Sequence, residues 1–123
     1  MTAPTSSEHP PGWLIVEDEA LIALLIEDAL VEMGMPVQSV ANRVSTALEA
    51  VRTTSPAGAI LDVHLAGEQV YPLAAELSDR KVPFLFLTGY GDNRIDPGFA
   101  GVRVLHKPFS VEEIQDAVRQ LLA

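Results

Sequence analysis

Polar and charged side chains that can bind metal ions or take part in reactions follow four separate apolar runs of this sequence. Glu17 and Asp18 come directly after the first of these runs, and Asp62 ends another. Thr88 and Lys107 follow two further runs. Carboxylates that are brought together raise one another's pKa values, and Mg2+, which prefers oxygen ligands, relieves their repulsion. The three acids therefore indicate a magnesium site, provided that the fold brings them together.

The same residues suit the chemistry of a phosphoryl group. A carboxylate such as Asp62 can attack phosphorus and form an acyl phosphate. The ammonium of Lys107 is a mobile positive charge that can bind phosphoryl oxygens, and the hydroxyl of Thr88 can donate a hydrogen bond to one of them. Metal, lysine and hydroxyl would then share the negative charge on the transferring oxygens.

Two simpler explanations exist for the acidic residues. Asp62 can cap the turn that follows its strand. Glu17, Asp18 and Glu19 can form a charge cluster that is stabilised by the amino-terminal end of a helix dipole. The second explanation accounts for neither Thr88 nor Lys107, which follow other apolar runs.

The apolar runs indicate buried strands that alternate with helices, because short continuous runs are typical of strands buried on both faces. The predicted strands are 13–16, 36–40, 58–62, 82–87 and 102–105. The predicted helices are 20–33, 45–51, 70–78 and 110–122, the last with a Ser110–Glu113 capping box. The apolar positions predicted for the first helix are Leu21, Leu24, Leu25, Ala29 and Leu30. Segment 89–101 is rich in glycine and leaves room for one or two helical turns around Asn93 and Ile95.

This alternation predicts an α/β fold with a parallel sheet and helices on both faces. Such sheets bind ligands outside the carboxyl ends of their strands. The strand ends that carry Glu17, Asp18, Asp62, Thr88 and Lys107 should therefore share one rim.

Composition limits the class of protein. The 123 residues suit one domain, and a hydrophobic fraction of 48% supports a core. A formal net charge of −9 disfavours direct binding of nucleic acid. The absence of cysteine excludes disulfides and fits a cytoplasmic protein. Neither a membrane span nor a signal peptide is recognisable, and residues 1–12 should form a disordered tail before a domain at 13–123.

These motifs together resemble a response-regulator receiver domain of bacterial two-component systems, which has a CheY-like, flavodoxin-like fold. The matching residues are Glu17-Asp18, Asp62, Thr88-Gly89 and Lys107-Pro108-Phe109. The resemblance implies a five-stranded parallel sheet of order 2-1-3-4-5, with a shortened or irregular fourth helix in this chain.

The resemblance also implies a role for each matching residue. Asp62 would be the phospho-acceptor, and Thr88 and Lys107 would bind the phosphoryl oxygens. Mg2+ would be held by Asp18, Asp62 and the backbone carbonyl of His64, with Glu17 acting through a metal-bound water. The Lys107-Pro108 peptide bond would be cis.

A subgroup is indicated by residues 83–91, which resemble the FAT-GUY motif of alphaproteobacterial receivers, with Leu87 in place of the usual alanine. Gly67-Glu68 and Tyr71-Pro72 fit the same subgroup. These regulators are associated with the general stress response. The implied partners are a histidine kinase of the HWE or HisKA2 class, or a histidine phosphotransferase.

The chain departs from the family at Val104, where most receivers have a tyrosine or phenylalanine three residues before the lysine. The usual coupling between threonine and an aromatic ring cannot run through valine. We hypothesise that the loop at 89–101 orders on phosphorylation, with Tyr90 or Phe99 as the moving ring. The alternative for Phe99 is simple packing against the core.

The expected function is that of a stand-alone response regulator. It would be no enzyme beyond accepting a phosphoryl group with Mg2+ and losing it to water. Its output would be a protein–protein contact, or competition for phosphoryl groups as a phosphate sink. A pseudo-receiver that is never phosphorylated is the main alternative. A metal-dependent phosphatase is disfavoured because His64 stands where the second acid of an Asp-x-Asp signature belongs.

Overall fold

A five-stranded parallel sheet forms the centre of the molecule. A computed structural model of the chain describes residues 11–65, 67–89 and 95–123. The strands are β1 (Trp13–Val16), β2 (Val37–Ala41), β3 (Gly58–Asp62), β4 (Phe84–Thr88) and β5 (Val104–His106). They lie in the order β2-β1-β3-β4-β5, and every neighbouring pair is parallel. The predicted α/β class and strand order are thus confirmed.

Four α-helices connect or follow the strands. They are α1 (Ala20–Glu32), α2 (Val44–Thr54), α3 (Tyr71–Asp79) and α4 (Val111–Leu122). Between β4 and β5, the described residues form one 3-10 helix, Pro97–Phe99. Of the helical turns predicted around Asn93 and Ile95, the part at Asn93 lies outside the described residues, and Ile95 is not helical. None of the helices described is both long and apolar enough to cross a lipid bilayer.

The sheet separates two hydrophobic cores, because successive side chains of a strand point to opposite faces. Along β3, Ala59 and Leu61 belong to one core and Ile60 belongs to the other. The first, here the α2–α3 core, includes Val51, Leu73, Leu77 and Phe86. The second, the α1–α4 core, includes Ile26, Leu30, Ile114 and Val118.

Part of the apolar face predicted for helix α1 is wrong. Leu21 and Leu24 are 83% and 53% exposed, whereas the buried residues of α1 are Ala23, Ile26, Ala29 and Leu30. The helix is apolar over most of its circumference, so helical spacing alone does not select the face that meets the sheet. Packing against β1 and α4 selects it instead.

Local sequence signals account for several helix ends. Ser110 and Glu113 form the predicted capping box at the start of α4, with Glu113 N–H donating to Ser110 Oγ at 3.1 Å. Gly34, with φ of +81°, follows the end of α1 in a conformation that favours glycine. Pro72 lies in the first turn of α3, where a missing N–H costs little.

The chain before β1 is ordered from at least Gly12. Gly12 is buried, and its carbonyl accepts a hydrogen bond of 2.8 Å from the Ala57 amide. Gly12 itself is therefore not part of the predicted disordered tail. Residues 1–10 lie outside the described part of the chain.

The loop after β3 is tied to the start of α2. The Val44 amide donates to Glu68 Oε1 at 2.8 Å, and the Arg43 guanidinium lies 3.8 Å from Glu68 Oε2. Since Arg43, the N-cap residue of α2, makes no side-chain cap of its own, the carboxylate of Glu68 caps this helix from a distant loop.

Phe99 belongs to an aromatic cluster that joins the segment before β5 to the α2–α3 core. Its ring stacks on Tyr71 with centroids 5.6 Å apart and packs edge-to-face with Phe84 and Phe86. The Tyr71 hydroxyl accepts a hydrogen bond from the Asp96 amide at 3.2 Å. These contacts agree with the packing alternative for Phe99. Tyr90, the other ring considered for a switch, lies outside the described residues.

We predict that Gly58→Ala destabilises the fold. A Cβ atom at this position would lie 2.5–2.7 Å from atoms of the Trp13 indole, which packs on its ladder partner Gly58. Such overpacking costs about 1–3 kcal/mol of unfolding free energy, which urea denaturation measures. Gly101→Ala is the matched control, because a Cβ there meets no atom within 4 Å. Equal stability of the two variants would contradict the prediction.

Candidate functional site

The carboxyl ends of β1, β3 and β5 bring predicted site residues into direct contact. Lys107, just after β5, places its Nζ 3.0 Å from Glu17 Oε1 and 3.1 Å from Asp62 Oδ2. The same ammonium lies 3.1 Å from Glu19 Oε2. Thr88 ends β4 one residue beyond Leu87, the ladder partner of Asp62. The predicted common rim therefore exists.

Four carboxylates form a cluster around this contact. Glu17, Asp18, Glu19 and Asp62 each offer a carboxylate oxygen, and these oxygens all lie within 4.8 Å of one another. Glu17 and Asp62 are buried, and the other two are exposed. Asp62 Oδ1 also accepts a hydrogen bond of 2.9 Å from the His64 amide. Several oxygen donors that converge from two strand ends match the ligand set that Mg2+ prefers.

Glu17 provides independent support for a cation at this cluster. Its Oε2 accepts a hydrogen bond from the Glu19 amide at 3.1 Å. Its buried Oε1 has no hydrogen-bond partner of good geometry, although the ammonium of Lys107 lies nearby. Burial and then the negative charge of Asp62 raise the pKa of Glu17 to about 7. A divalent cation, or a water bound to it, would satisfy this oxygen and offset the negative charge of Asp62, so the residues fit the metal.

Lys107 balances much of the negative charge. Burial alone would lower the pKa of its ammonium, but hydrogen bonds to Glu17 and Glu19 and the charge of Asp62 outweigh burial and raise it above the usual range. Lys107 is therefore a permanent cation at neutral pH. Its peptide bond to Pro108 is cis, as the family resemblance implies.

A cleft of about 470 Å³ opens beside the acidic cluster. One wall is apolar and comes from Ile22 and Leu25 of α1 together with Pro108 and Phe109. The remaining lining residues are polar or small, and they are Glu19, Asp62, His64, Gly89 and Lys107. Asp62, although only 2% exposed, lines this cleft, so a reacting group in the cleft would lie beside its carboxylate.

Two neighbours of the site were missed by sequence reasoning. The acidic run 17–19 predicts only a helix-end charge for Glu19, yet its carboxylate contacts Lys107. No sequence pattern predicts a role for His106, yet its Nδ1 lies 2.9 Å from the hydroxyl of Thr88, which is completely buried. The sequence signal for Glu19 was its place in a run of three acids. The His106 contact depends on the register of β4 and β5, which pairs Thr88 with His106.

Comparison with known proteins agrees with the fold. A family model described as "Response regulator receiver domain" matches residues 13–119. The structure is similar to SdrG from Sphingomonas melonis Fr1, with 38% identity, a TM-score of 0.83 and coverage of 92% of this chain and 97% of SdrG. It is also similar to a structure of the PhyR stress response regulator, with 31% identity, a TM-score of 0.77 and coverage of 95% of this chain and 46% of PhyR.

A curated relative gives a more distant match. The chain is 28% identical over 127 residues to the transcriptional regulatory protein PdtaR of Mycobacterium tuberculosis. The match covers 96% of this chain and 61% of PdtaR. The chain thus spans less than two thirds of the length of this relative.

We predict that Glu17→Gln changes how stability depends on pH. The folded-state pKa of Glu17, about 7, lies above its ordinary value of 4.5. This carboxyl therefore stabilises the fold fully below about pH 4.5, and that stabilisation is lost as the pH rises through about 7. Without Mg2+, the unfolding free energy of Glu17→Gln relative to wild type should rise between about pH 4.5 and pH 8, as measured by urea denaturation.

Mg2+ sharpens this test. Added Mg2+ should stabilise the wild type more than Glu17→Gln, because the variant offers one fewer carboxylate to the cation. Glu112→Gln, an exposed change on α4, controls for the loss of a negative charge away from the cluster. If the difference in unfolding free energy between wild type and Glu17→Gln is the same at about pH 4.5 and at about pH 8, the raised pKa assigned to Glu17 is refuted.

Proposed function

The chain belongs to the response regulator receiver domains, and on that premise we propose that Asp62 accepts a phosphoryl group from a phosphohistidine of a histidine kinase or phosphotransferase. The main support is the position of Lys107, whose ammonium lies 3.1 Å from Asp62 Oδ2 inside an oxygen-rich cluster. A structural ion pair needs neither the converging acids nor a cleft that leads to the carboxylate.

In the proposed reaction, a carboxylate oxygen of Asp62 attacks phosphorus. A new O–P bond forms, and the N–P bond of the phosphohistidine breaks, with its electron pair returning to the imidazole. Water later attacks the phosphorus of the acyl phosphate, which releases inorganic phosphate and restores the carboxylate. In this proposal the protein catalyses only these steps on itself and has no other enzymatic activity.

In this proposal, Lys107 and Thr88 bind the oxygens of the phosphoryl group that is transferred. The Lys107 ammonium exchanges a carboxylate contact for a phosphoryl oxygen, and the Thr88 hydroxyl donates a hydrogen bond to another. Asp18, Asp62 and the backbone carbonyl of His64 would hold Mg2+, with Glu17 reaching it through water. The bound cation supplies positive charge beside the transferring oxygens.

Charge balance explains why a metal is needed. An aspartyl phosphate brings about −1.5 to −2 charges, by analogy with other phosphorylated side chains. The cluster already holds four carboxylates, of which two are buried, and Lys107 contacts three of them. Added negative charge at this place would be repelled without a further cation.

The biological role proposed is that of a response regulator in the general stress response. The likeness to PhyR, which is described as a stress response regulator, supports this role, and so does the FAT-GUY-like segment at 83–91. We propose a kinase of the HWE or HisKA2 class as the phosphoryl donor. A protein–protein contact is the proposed output, with a phosphate sink as the alternative.

We predict that acetyl phosphate with Mg2+ adds one phosphoryl group to the protein, as measured by intact mass, and that Asp62→Ala abolishes the adduct. Asp79→Ala, which removes an aspartate at the end of α3, is the matched control and should be phosphorylated like the wild type. No adduct on the wild type, or an adduct that survives in Asp62→Ala, would favour a pseudo-receiver.

Lys107→Ala should slow phosphorylation by about 100-fold, because it removes a group that stabilises charge in the transition state. The rate follows from the intact-mass time course at saturating Mg2+. Circular dichroism shows whether the variant is folded, since Lys107 also neutralises buried acids. A folded Lys107→Ala protein that reacts at the wild-type rate would contradict the role given to Lys107.

A further inference from the structure

The contact between Thr88 and His106 links the buried end of β4 to the surface. The Thr88 side chain has no solvent exposure, whereas His106 is exposed. Their Oγ1 and Nδ1 atoms lie 2.9 Å apart, which is a good hydrogen-bond distance. The Lys107 amide also donates to the Thr88 carbonyl at 2.7 Å, so the backbones on both sides of this contact are held together.

This hydrogen bond has two possible directions, because a histidine Nδ1 donates or accepts depending on its tautomer. A buried hydroxyl needs an acceptor for its proton, and among the described residues the acceptor at hydrogen-bond distance is His106 Nδ1. In the direction in which Nδ1 accepts, Nδ1 carries no proton and Nε2 carries one. The burial of Thr88 favours the direction in which its hydroxyl donates its single proton toward β5.

A phosphoryl oxygen on Asp62 would compete for the same proton. Phosphoryl oxygens only accept hydrogen bonds, and a threonine hydroxyl has one proton to donate. Thr88 cannot donate fully to His106 and to the phosphoryl group at the same time. The two states of Asp62 thus correspond to two partners of one hydroxyl.

His106 also occupies the correct face of β5 for such a coupling. Val104 and His106 are two residues apart in a strand, so their side chains lie on the same face. Val104 holds the position at which most receivers have an aromatic ring. His106 is one step nearer to the strand end, directly beside Thr88 in the ladder.

We propose that His106 is a positioning residue that holds the Thr88 hydroxyl toward β5 in the unmodified protein. Phosphorylation of Asp62 draws the hydroxyl away and frees the imidazole at the surface. The orientation of the exposed His106 ring then depends on whether Asp62 is phosphorylated. Val104 has no ring or polar atom that could respond to Thr88 in this way. This inference rests on the proposed function, because it requires a phosphoryl group on Asp62.

Binding of beryllofluoride, a mimic of the phosphoryl group, tests the proposal at saturating Mg2+. His106→Ala removes the competing acceptor, and a net hydrogen bond contributes about 0.5–1.5 kcal/mol, so beryllofluoride should bind about two- to tenfold more tightly than to the wild type. His106→Asn, whose amide oxygen can accept in place of Nδ1, should bind within about twofold of the wild type.

The same comparison in a Thr88→Val background separates positioning from a general structural effect. Without the hydroxyl there is nothing to compete for, so His106→Ala should leave the affinity of Thr88→Val unchanged. An equal gain in both backgrounds would overturn the proposal, and so would an unchanged affinity of His106→Ala in the otherwise wild-type protein.

Nitrogen NMR of the wild type gives a readout that needs no variant. The His106 ring should show an unprotonated Nδ1 and a protonated Nε2 before beryllofluoride is added, and both signals should shift afterwards. Unshifted signals would overturn the inference. The phosphorylation test with acetyl phosphate is independent: an adduct on Asp62 together with unshifted His106 signals would refute the His106 inference and leave the proposed function standing.

Discussion

The ion pairs between one lysine ammonium and three carboxylates are the interaction on which the residues at the carboxyl ends of the strands depend. Lys107 lies within 3.1 Å of carboxylate oxygens from Glu17, Glu19 and Asp62. Two of these acids are buried, and a buried charge that loses its partner costs several kcal/mol, about 3–5. The same ion pairs therefore permit the buried acids to exist and keep a cation beside Asp62.

Much of the fold follows from short-range features of the sequence. Continuous apolar runs such as 13–16 and 58–62 mark buried strands, and the Ser110–Glu113 pair marks the start of α4 through its own hydrogen bonds. The common rim follows from the parallel alternation of strands and helices. The strand order itself came from resemblance to a family and not from the residues. The structure has that order.

The remaining features depend on contacts between distant segments. Leu21 and Leu24 have the residue type of a core, yet α1 turns them to solvent because other apolar side chains of the same helix meet the sheet. His106 gains its partner from the β4–β5 register, which no local pattern encodes. Glu68 caps α2 from 24 positions away in the sequence.

The alternation of β3 between the two cores limits how the length of this protein can change. One residue inserted within 58–62 would send the side chains that follow it to the opposite core, and it would also move Asp62 away from Lys107. An insertion of the same size in the turn before Gly58 would spare the strand. Changes in chain length are thus tolerable in the connections, whereas the length of β3 fixes how deeply Asp62 lies below the surface.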